Sequence, residues 1–517
     1  MSLKALVLAD ILTAYAIFVM MTYLTDVWSL TITHAAAIVN VFTGVAAIMP
    51  IGMGFLVDTF MGDKWMLLLS SIAYSIGMTS LAMSTPPFLS NAAGNCGAYK
   101  PECIGDAQKV LFYTALALIA IGISGHITSL GSFLEQQKGD QDDSGKKTPW
   151  QVPGICVVML LPIVGCFALP YIKPWSVRFG IPAICTVVAT FLFLSGFFCS
   201  SYKHSGTLRP GSPLTTVLRV FVASASKMFS HLPQHDKELN GTLRPGPHTG
   251  CLRCLDKAAI VDGETNEQDR RKRCSEAELE ETKIFICMTP MWMTFIMCGL
   301  VISVGNTFFL EQANNLNRKV GTWKVPLPIF KAFYDLVKDP LAKKVIPKKY
   351  GIRVAMLFSI LCCITAAKME TRRLDVIRRH GLLDKPKEQI PMSMFVLLPQ
   401  YLLLGALDGI SNASIDQFFT NHAPESMRRY SKIFSHAVIG AGTVGSVLSV
   451  YVVSKVSERV EGKSWFQDTL NKSRLDNYYW TLTVLSSINL VLYILLACCI
   501  PIKTVNEASE KEESTQP

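Results

Sequence analysis

Leu397-Leu-Pro-Gln-Tyr-Leu-Leu-Leu-Gly-Ala-Leu-Asp408-Gly-Ile410, running on to Phe418-Phe-Thr-Asn-His-Ala-Pro-Glu-Ser-Met427, is the stretch that decides the fold. It reads as one long apolar helix with an acid at its middle and polar residues at its end. Placing a carboxylate near the centre of a bilayer costs on the order of 2.5 to 3.5 kcal/mol even on the mildest insertion scales, so such a group faces a wet cavity or a partner. Asp408 therefore points to a pathway through a membrane.

Composition agrees, since 50% of the 517 residues are hydrophobic, only 17% are charged, and the apolar ones fall in blocks. Crossing roughly 30 Å of hydrocarbon takes about 20 mostly apolar residues. Such runs lie near 5–24, 35–57, 65–83, 110–133, 152–172 and 179–201, and again near 284–306, 351–367, 391–415, 434–454 and 479–500. These eleven spans need a twelfth, between the seventh and the next, for each half to hold six. The only candidate is Val325–Ile346, which carries Lys331, Asp335, Lys338 and Asp339. Either those charges face the bundle interior and are paired, or the segment is not a full span. Asp335 shares a helix face with Lys338 and Asp339, so the three could meet one partner.

The expected organisation is a six-helix bundle over 1–201, a linker over 202–283, a second bundle over 284–502 and a disordered tail over 503–517. With the amino terminus inside, linker and tail are cytoplasmic, and the linker's Arg270-Arg-Lys-Arg273 obeys the positive-inside rule. Lys368, Arg372, Arg373, Arg378 and Arg379, which would then lie outside, oppose it. The linker reads as a flexible connector, and Glu276–Lys283 as a helical lead-in solvated on most sides. The first 24 residues lack a small-residue cleavage site and contain Asp10, so they read as a span and not a secretory signal. A net charge of +10 reads as topology and contact with the lipid bilayer, with no stacking platform for nucleic acid.

Most of the 15 cysteines fall in spans or in the linker, where free thiols are expected. Cys96 and Cys103 lie in the first large exterior loop, where a disulfide is chemically permitted. Cys251 and Cys254 form a lone C-x-x-C without a second ligand pair, so no metal site is expected. Of three sequons, only Asn471-Lys-Ser473 has an exterior position, which makes Asn471 the candidate glycosylation site. Gly440-Ala-Gly-Thr-Val-Gly445 matches the dinucleotide-binding G-x-G-x-x-G by letter. It lies inside an apolar helix and not between a strand and a helix, so it reads as close helix packing. No H-E-x-x-H, G-x-S-x-G or Walker loop is present, which argues against an enzyme, a cofactor or ATP-driven transport.

Several segments in their order resemble the plant nitrate/peptide transporters of the proton-dependent oligopeptide transporter group, within the major facilitator superfamily. They are Asn40-Val-Phe-Thr-Gly44, Gly54-Phe-Leu-Val-Asp58-Thr-Phe-Met-Gly62-Asp-Lys64, Trp175–Pro182, Pro210–Pro213, Cys254–Ala259, Leu398–Tyr401, Ala423–Met427 and Leu470–Trp480. The resemblance is nearly full length. It implies an all-α polytopic membrane protein of two six-helix bundles opening alternately to either side, and a secondary transporter of a small organic or inorganic solute with protons as the coupling partner. Nitrate, peptides, hormones and metabolites all fall within that class, and the plasma or vacuolar membrane within its locations. Asp58 and Lys64 sit in a glycine-flanked turn that can lock a helix end as a cytoplasmic gate; a purely structural turn is the other reading.

The departures are as informative. The family's first-helix E-x-x-E-R cluster falls on Leu6, Ala9 and Asp10, and its fourth-helix lysine on Ile127, beside His126. Its tenth-helix glutamate falls on Asp408 and a second on Gln417. A carboxylate without a cationic partner tends to take up a proton, whereas one beside a cation stays ionised. The switch candidates are thus Asp408, Asp10 and His126, with Asn412 and Tyr401 on the Asp408 stripe and Gln417 below. His126 paired with a carboxylate could replace the lost cluster; alternatively it is a hydrogen-bonded core residue and Asp10 bonds a hydroxyl. The alternatives to proton-coupled transport are a proton-independent facilitator and a non-transporting membrane sensor or assembly partner.

Overall fold

The computed structural model describes residues 2–86, 104–138, 167–198, 213–226, 276–343, 350–386 and 388–499. Among them, nine helical stretches are long and apolar enough to cross a membrane. One, Ile32–Met83, has 52 residues, which as a straight helix would run about 78 Å. It folds back instead. Helices α3 (Ile32–Ile48) and α4 (Pro50–Leu56) descend into a π turn at Val57–Met61, and Gly62, with φ +67°, reverses the chain into α5 (Gly62–Met83). A left-handed φ suits glycine, which has no Cβ to clash.

The first span is α1 (Ser2–Phe18) continued by α2 (Met20–Asp26), followed after α5 by α6 (Asp106–Lys138) and α7 (Trp175–Phe198). The span expected at 152–172 lies mostly outside the described residues. Helix α8 (Pro213–Ser226) precedes the second half, which opens with α9 (Glu276–Cys287), α10 (Thr289–Met293), α11 (Ile296–Val304), a π turn and α12 (Leu310–Asn315). There follow α13 (Ile329–Lys343), α14 (Gly351–Arg379), α15 (Leu398–His422), α16 (Ser431–Glu461) and α17 (Leu475–Cys499). Small two-stranded pairings, Leu316–Asn317 with Ile390–Ser393 and Lys319–Val320 with Trp323–Lys324, cap one end.

Small residues set the helix crossings. Helix α16 runs between α3 and α11, and a Cβ on Gly442 would sit 2.1 Å from the Ile296 carbonyl, while one on Gly440 would meet Ala47 at 2.7 Å. Glycine here trades helix propensity for close approach. The G-x-G-x-x-G letters are therefore a packing seam, as their helical context implies.

Two expectations need correction. Helix α14 does not end near Ala367: it continues to Arg379, and Arg373 is fully buried (0% exposed), held by Glu370 at 2.7 Å and by the Leu470 carbonyl at 2.9 Å. An arginine that bonds a buried glutamate has left the loop-charge inventory that topology rules count. The lead-in helix α9 is likewise not solvated on most sides. Leu279, Thr282 and Lys283 are buried, and Glu278 pairs with Arg219 of α8 at 2.7 Å. The linker motifs Arg270–Arg273 and Cys251–Cys254 and the 503–517 tail lie outside the described residues.

The seam gives a prediction with its own control. Gly442→Leu should lower stability by about 1 to 3 kcal/mol or more through overpacking. Gly445→Leu, three residues along the same helix with nothing within 4 Å of its Cβ position, should leave the melting midpoint in detergent unchanged. Equal midpoints for the two variants in scanning fluorimetry would contradict the packing role.

Candidate functional site

A cavity of about 640 Å³ lies between the two halves. Its N-terminal wall is almost wholly apolar: Ile17 and Phe18 of α1, Val39 and Phe42 of α3, and Ile123 and Ile127 of α6, with Asn40 and Thr43 the polar exceptions. The C-terminal wall carries the charge, with Lys331, Tyr334 and Lys338 of α13, Asp408, Asn412 and Asp416 of α15, and Lys432 and His436 of α16. Each set follows a helical stripe, since positions three or four apart share a face.

Local sequence explains why α13 and α15 meet here. A Cβ on Gly405 would lie 2.5 Å from the Tyr334 carbonyl, and one on Gly409 2.5 Å from the Lys338 carbonyl. Two glycines four apart thus let the α13 backbone rest on α15, flanking Asp408. The Lys338 ammonium lies 2.6 Å from Asp408 Oδ2, the Tyr334 hydroxyl donates to the same oxygen, and the Asn412 amide donates to Oδ1. Asp408 is buried, whereas Lys338 keeps about a third of its surface open to the cavity. Lys331 is held by Asp335 at 2.9 Å and lies over the Tyr15 ring at 5.3 Å. Three charges of α13 are thus paired, but not through a common partner: Lys338 takes Asp408 and Asp335 takes Lys331, while Asp339 is exposed. Helix α13 has 15 described residues, about 22 Å and short of the hydrocarbon thickness.

The other candidates lie behind the apolar wall. His126 Nδ1 is 3.0 Å from both Asp10 oxygens, and Nε2 is 2.9 Å from Ser71 Oγ. This pair is in the N-terminal half and touches neither the cavity nor Asp408. Leu6 and Ala9, the other first-helix places, are buried in a dry cluster with Leu67, Phe133 and Phe193.

Contacts join the halves at both ends of the cavity. At one end Thr25 donates to Glu311 at 3.1 Å, Asn314 to Asp26 at 3.3 Å, and the Tyr171 hydroxyl to the Lys324 carbonyl at 2.6 Å. Burial, opposed by the charges of Asp26 and Glu311, lowers the guanidinium of Arg318 below its ordinary value, and the Arg318 charge in turn lowers Lys324. At the other end Asp58 bonds Arg429 and the Tyr430 hydroxyl. Lys64 does not join that contact and lies over the Phe197 ring, 4.1 Å away in its own half.

Several sequence candidates are displaced. Tyr401 shares the Asp408 stripe but leaves the cavity, because α13 begins over it: its ring stacks on Phe330 at 4.4 Å. Gln417 gives way to its neighbour Asp416, eight residues from Asp408 and so on the same stripe, while Gln417 does not line the cavity. Asn471 is only 3% exposed, and the amide nitrogen that a glycan would occupy donates to the Leu382 carbonyl at 2.9 Å. Its loop packs over Arg373, so an exterior sequon is not an accessible one. Cys96 and Cys103 lie outside the described residues. Tyr334, Asp416, Lys432 and His436 were missed, although Tyr334 stands three residues from Lys331 and four from Lys338, a spacing that places it on their face.

The family profile PTR2, described as the POT family, matches residues 64–466. The chain is 41% identical to Protein NRT1/PTR FAMILY 5.5 of Arabidopsis thaliana over 93% of each chain. It is 29% identical to Protein NRT1/PTR FAMILY 5.6 of the same plant, over 94% of this chain and 88% of that one. In fold it is similar to an auto inhibited POT family peptide transporter, with TM-score 0.65 at 16% identity over 98% of each chain. It is also similar to the POT family transporter PepTSo, with TM-score 0.60 at 15% identity over 95% of this chain and 97% of that one. The architecture is that of the major facilitator superfamily: an all-α, multi-pass integral membrane protein.

The buried Asn471 amide predicts an unmodified side chain. Treating the protein from a eukaryotic host with an endoglycosidase should leave its mass unchanged; a loss of hexose mass mapped to Asn471 would contradict the packing of that loop.

Proposed function

The chain belongs to the POT family, and on that premise we propose that its small-molecule substrate crosses the membrane through the central cavity, engaging Asp408, Lys338, Tyr334 and Asn412. The family consists of transporters and not enzymes, and proton coupling is one of its properties. The observation that carries the assignment is the Lys338–Asp408 pair at 2.6 Å inside a cavity bounded by both halves. A solute with its own charge or strong hydrogen-bonding group competes for one member and frees the other. Breaking a buried pair is costly unless a replacement arrives, so substrate and pair exchange partners. A cavity of about 640 Å³ suits an organic solute up to drug size.

In this reading 1–201 and 284–502 rock against each other, with 202–283 as the cytoplasmic linker and 503–517 as a cytoplasmic tail. The face bearing Asp58 is cytoplasmic, and its contacts with Arg429 and Tyr430 are the lock that opens and closes on that side. Placement in the plasma or vacuolar membrane belongs to this reading, and a fluorescent fusion would check it. A proton-independent facilitator is the second reading, favoured by Leu6 and Ala9 lying in a dry cluster and by Ile127 standing in the cavity wall.

The test is uptake into liposomes of nitrate, dialanine and aromatic carboxylates, with and without acid outside. Asp408→Asn should cut uptake at least about tenfold, equivalent to ~1.4 kcal/mol of barrier. Replacing both charges, Asp408→Leu with Lys338→Met, should recover thermal stability relative to Asp408→Leu alone without recovering uptake. Unchanged uptake by Asp408→Asn removes the pair from the pathway. Uptake indifferent to the gradient selects the facilitator.

A further inference from the structure

We propose that Asp10, His126 and Ser71 form a proton-binding site in the N-terminal half, resting on the transport reading for its use but not for its existence. The argument is a count of hydrogens. With Asp10 as the carboxylate there is no hydrogen on its side to give, so His126 Nδ1, 3.0 Å from both Asp10 oxygens, then carries a hydrogen and donates it. On the far side of the ring, Ser71 Oγ lies 2.9 Å from Nε2 and 2.7 Å from the Leu67 carbonyl oxygen. A hydroxyl owns one hydrogen and cannot give it to both.

Each choice fixes a different charge on the ring. If the Ser71 hydrogen points to Nε2, that nitrogen accepts and His126 is neutral. If it points to the Leu67 carbonyl, Oγ presents only lone pairs to Nε2, which must then carry its own hydrogen, and the ring is imidazolium. Taking up one proton from water at Nε2 thus needs only a rotation of the hydroxyl, with every heavy atom in place. The Leu67 carbonyl already serves the helix ladder, so it is not orphaned when the hydroxyl turns away. Thr190 bonds the Ser71 carbonyl at 3.2 Å and Ser75 at 2.8 Å, which holds the backbone of the site. Loaded, the pair has no net charge; unloaded, it has one negative charge.

Among the described residues, the groups facing the pair come from four helices. Helix α1 gives Asp10, α5 gives Ser71 and Tyr74, α6 gives His126 itself, and α7 gives only the Thr190 hydroxyl through Ser71. Tyr74 stands edge-on to the imidazole at 5.3 Å and within electrostatic reach of Asp10. The Asp–His–Ser order is that of a hydrolytic triad, but Ser71 is 1% exposed and lines none of the cavities described, so no acyl group reaches it. What does reach the site is the pathway's edge. Asp10, 29% exposed at its side chain, is one turn from the cavity-lining Ala14, and His126 lies between the cavity-lining Ile123 and Ile127. A charge change here acts just behind the apolar wall that faces Lys338 and Asp408.

The test needs no knowledge of the substrate. Full-length protein with ¹⁵N-labelled histidine in nanodiscs, with His126→Gln to assign the signal, should show the His126 ring passing from neutral to imidazolium as the sample is acidified. Asp10→Asn removes the carboxylate that the Nδ1 hydrogen meets, so its transition should differ from that of the wild type. Asp408→Asn should leave the transition in place. A His126 ring that keeps one state on acidification, or a transition identical in Asp10→Asn, overturns the site whatever the transport assays give. If Asp408→Asn abolishes uptake while His126 does not titrate, this proposal fails and the pathway stands. Where the wild type carries nitrate or dialanine faster with acid outside, His126→Gln should bring the ratio of uptake with and without the gradient to one; a ratio equal to wild type removes His126 from coupling.

Discussion

The backbone of α13 rests directly on Gly405 and Gly409 of α15, and the rest of the site depends on that contact. A side chain at either position would put a Cβ 2.5 Å from an α13 carbonyl oxygen, and the helices would have to part to relieve it, carrying Lys338 and Tyr334 away from Asp408. The pair matters more for position than for stability, because ion pairs removed from water gain little over well-packed apolar groups. What it supplies is a buried acid held against an ammonium from a neighbouring helix that is rich in charge. The glycine contact holds the acid and the ammonium in register.

The two cavity walls divide the work. The C-terminal wall holds the charges, and the N-terminal wall presents Ile17, Phe18, Ile123 and Ile127. A solute bridging the halves therefore finds polar partners on one side and hydrophobic surface on the other. It cannot be clamped by opposite charges from the two walls. In the N-terminal half the Asp10–His126 pair lies behind that wall.

The sequence alone revealed the all-helical membrane architecture, the placing of Asp408 against a cavity and the packing role of Gly440–Gly445, because long apolar blocks and small-residue seams are local signals. It did not reveal which charges pair. Lys338 meets Asp408 across 70 positions of chain, and the spacing of Asp335, Lys338 and Asp339 describes one helix face without saying what that face meets. Tyr401 shows the same limit: its stripe is right, but the start of α13 covers that part of the stripe and turns a pathway position into core. Asn471 and Arg373 look exposed by their place between spans and are buried because the loop folds over the end of α14.

The losses in the first helix follow the same physics. Once Leu6 and Ala9 stand where charges are expected, the neighbouring surface must be apolar, and Leu67, Phe133, Ala189 and Phe193 close over them. A charged group at that depth would then have no partner and no water. Asp10 escapes because it lies on the edge of the cluster, where His126 reaches it from α6, and Ser71 anchors the far side of the ring. The acid of the first helix thus stands where a histidine from another helix meets it at 3.0 Å.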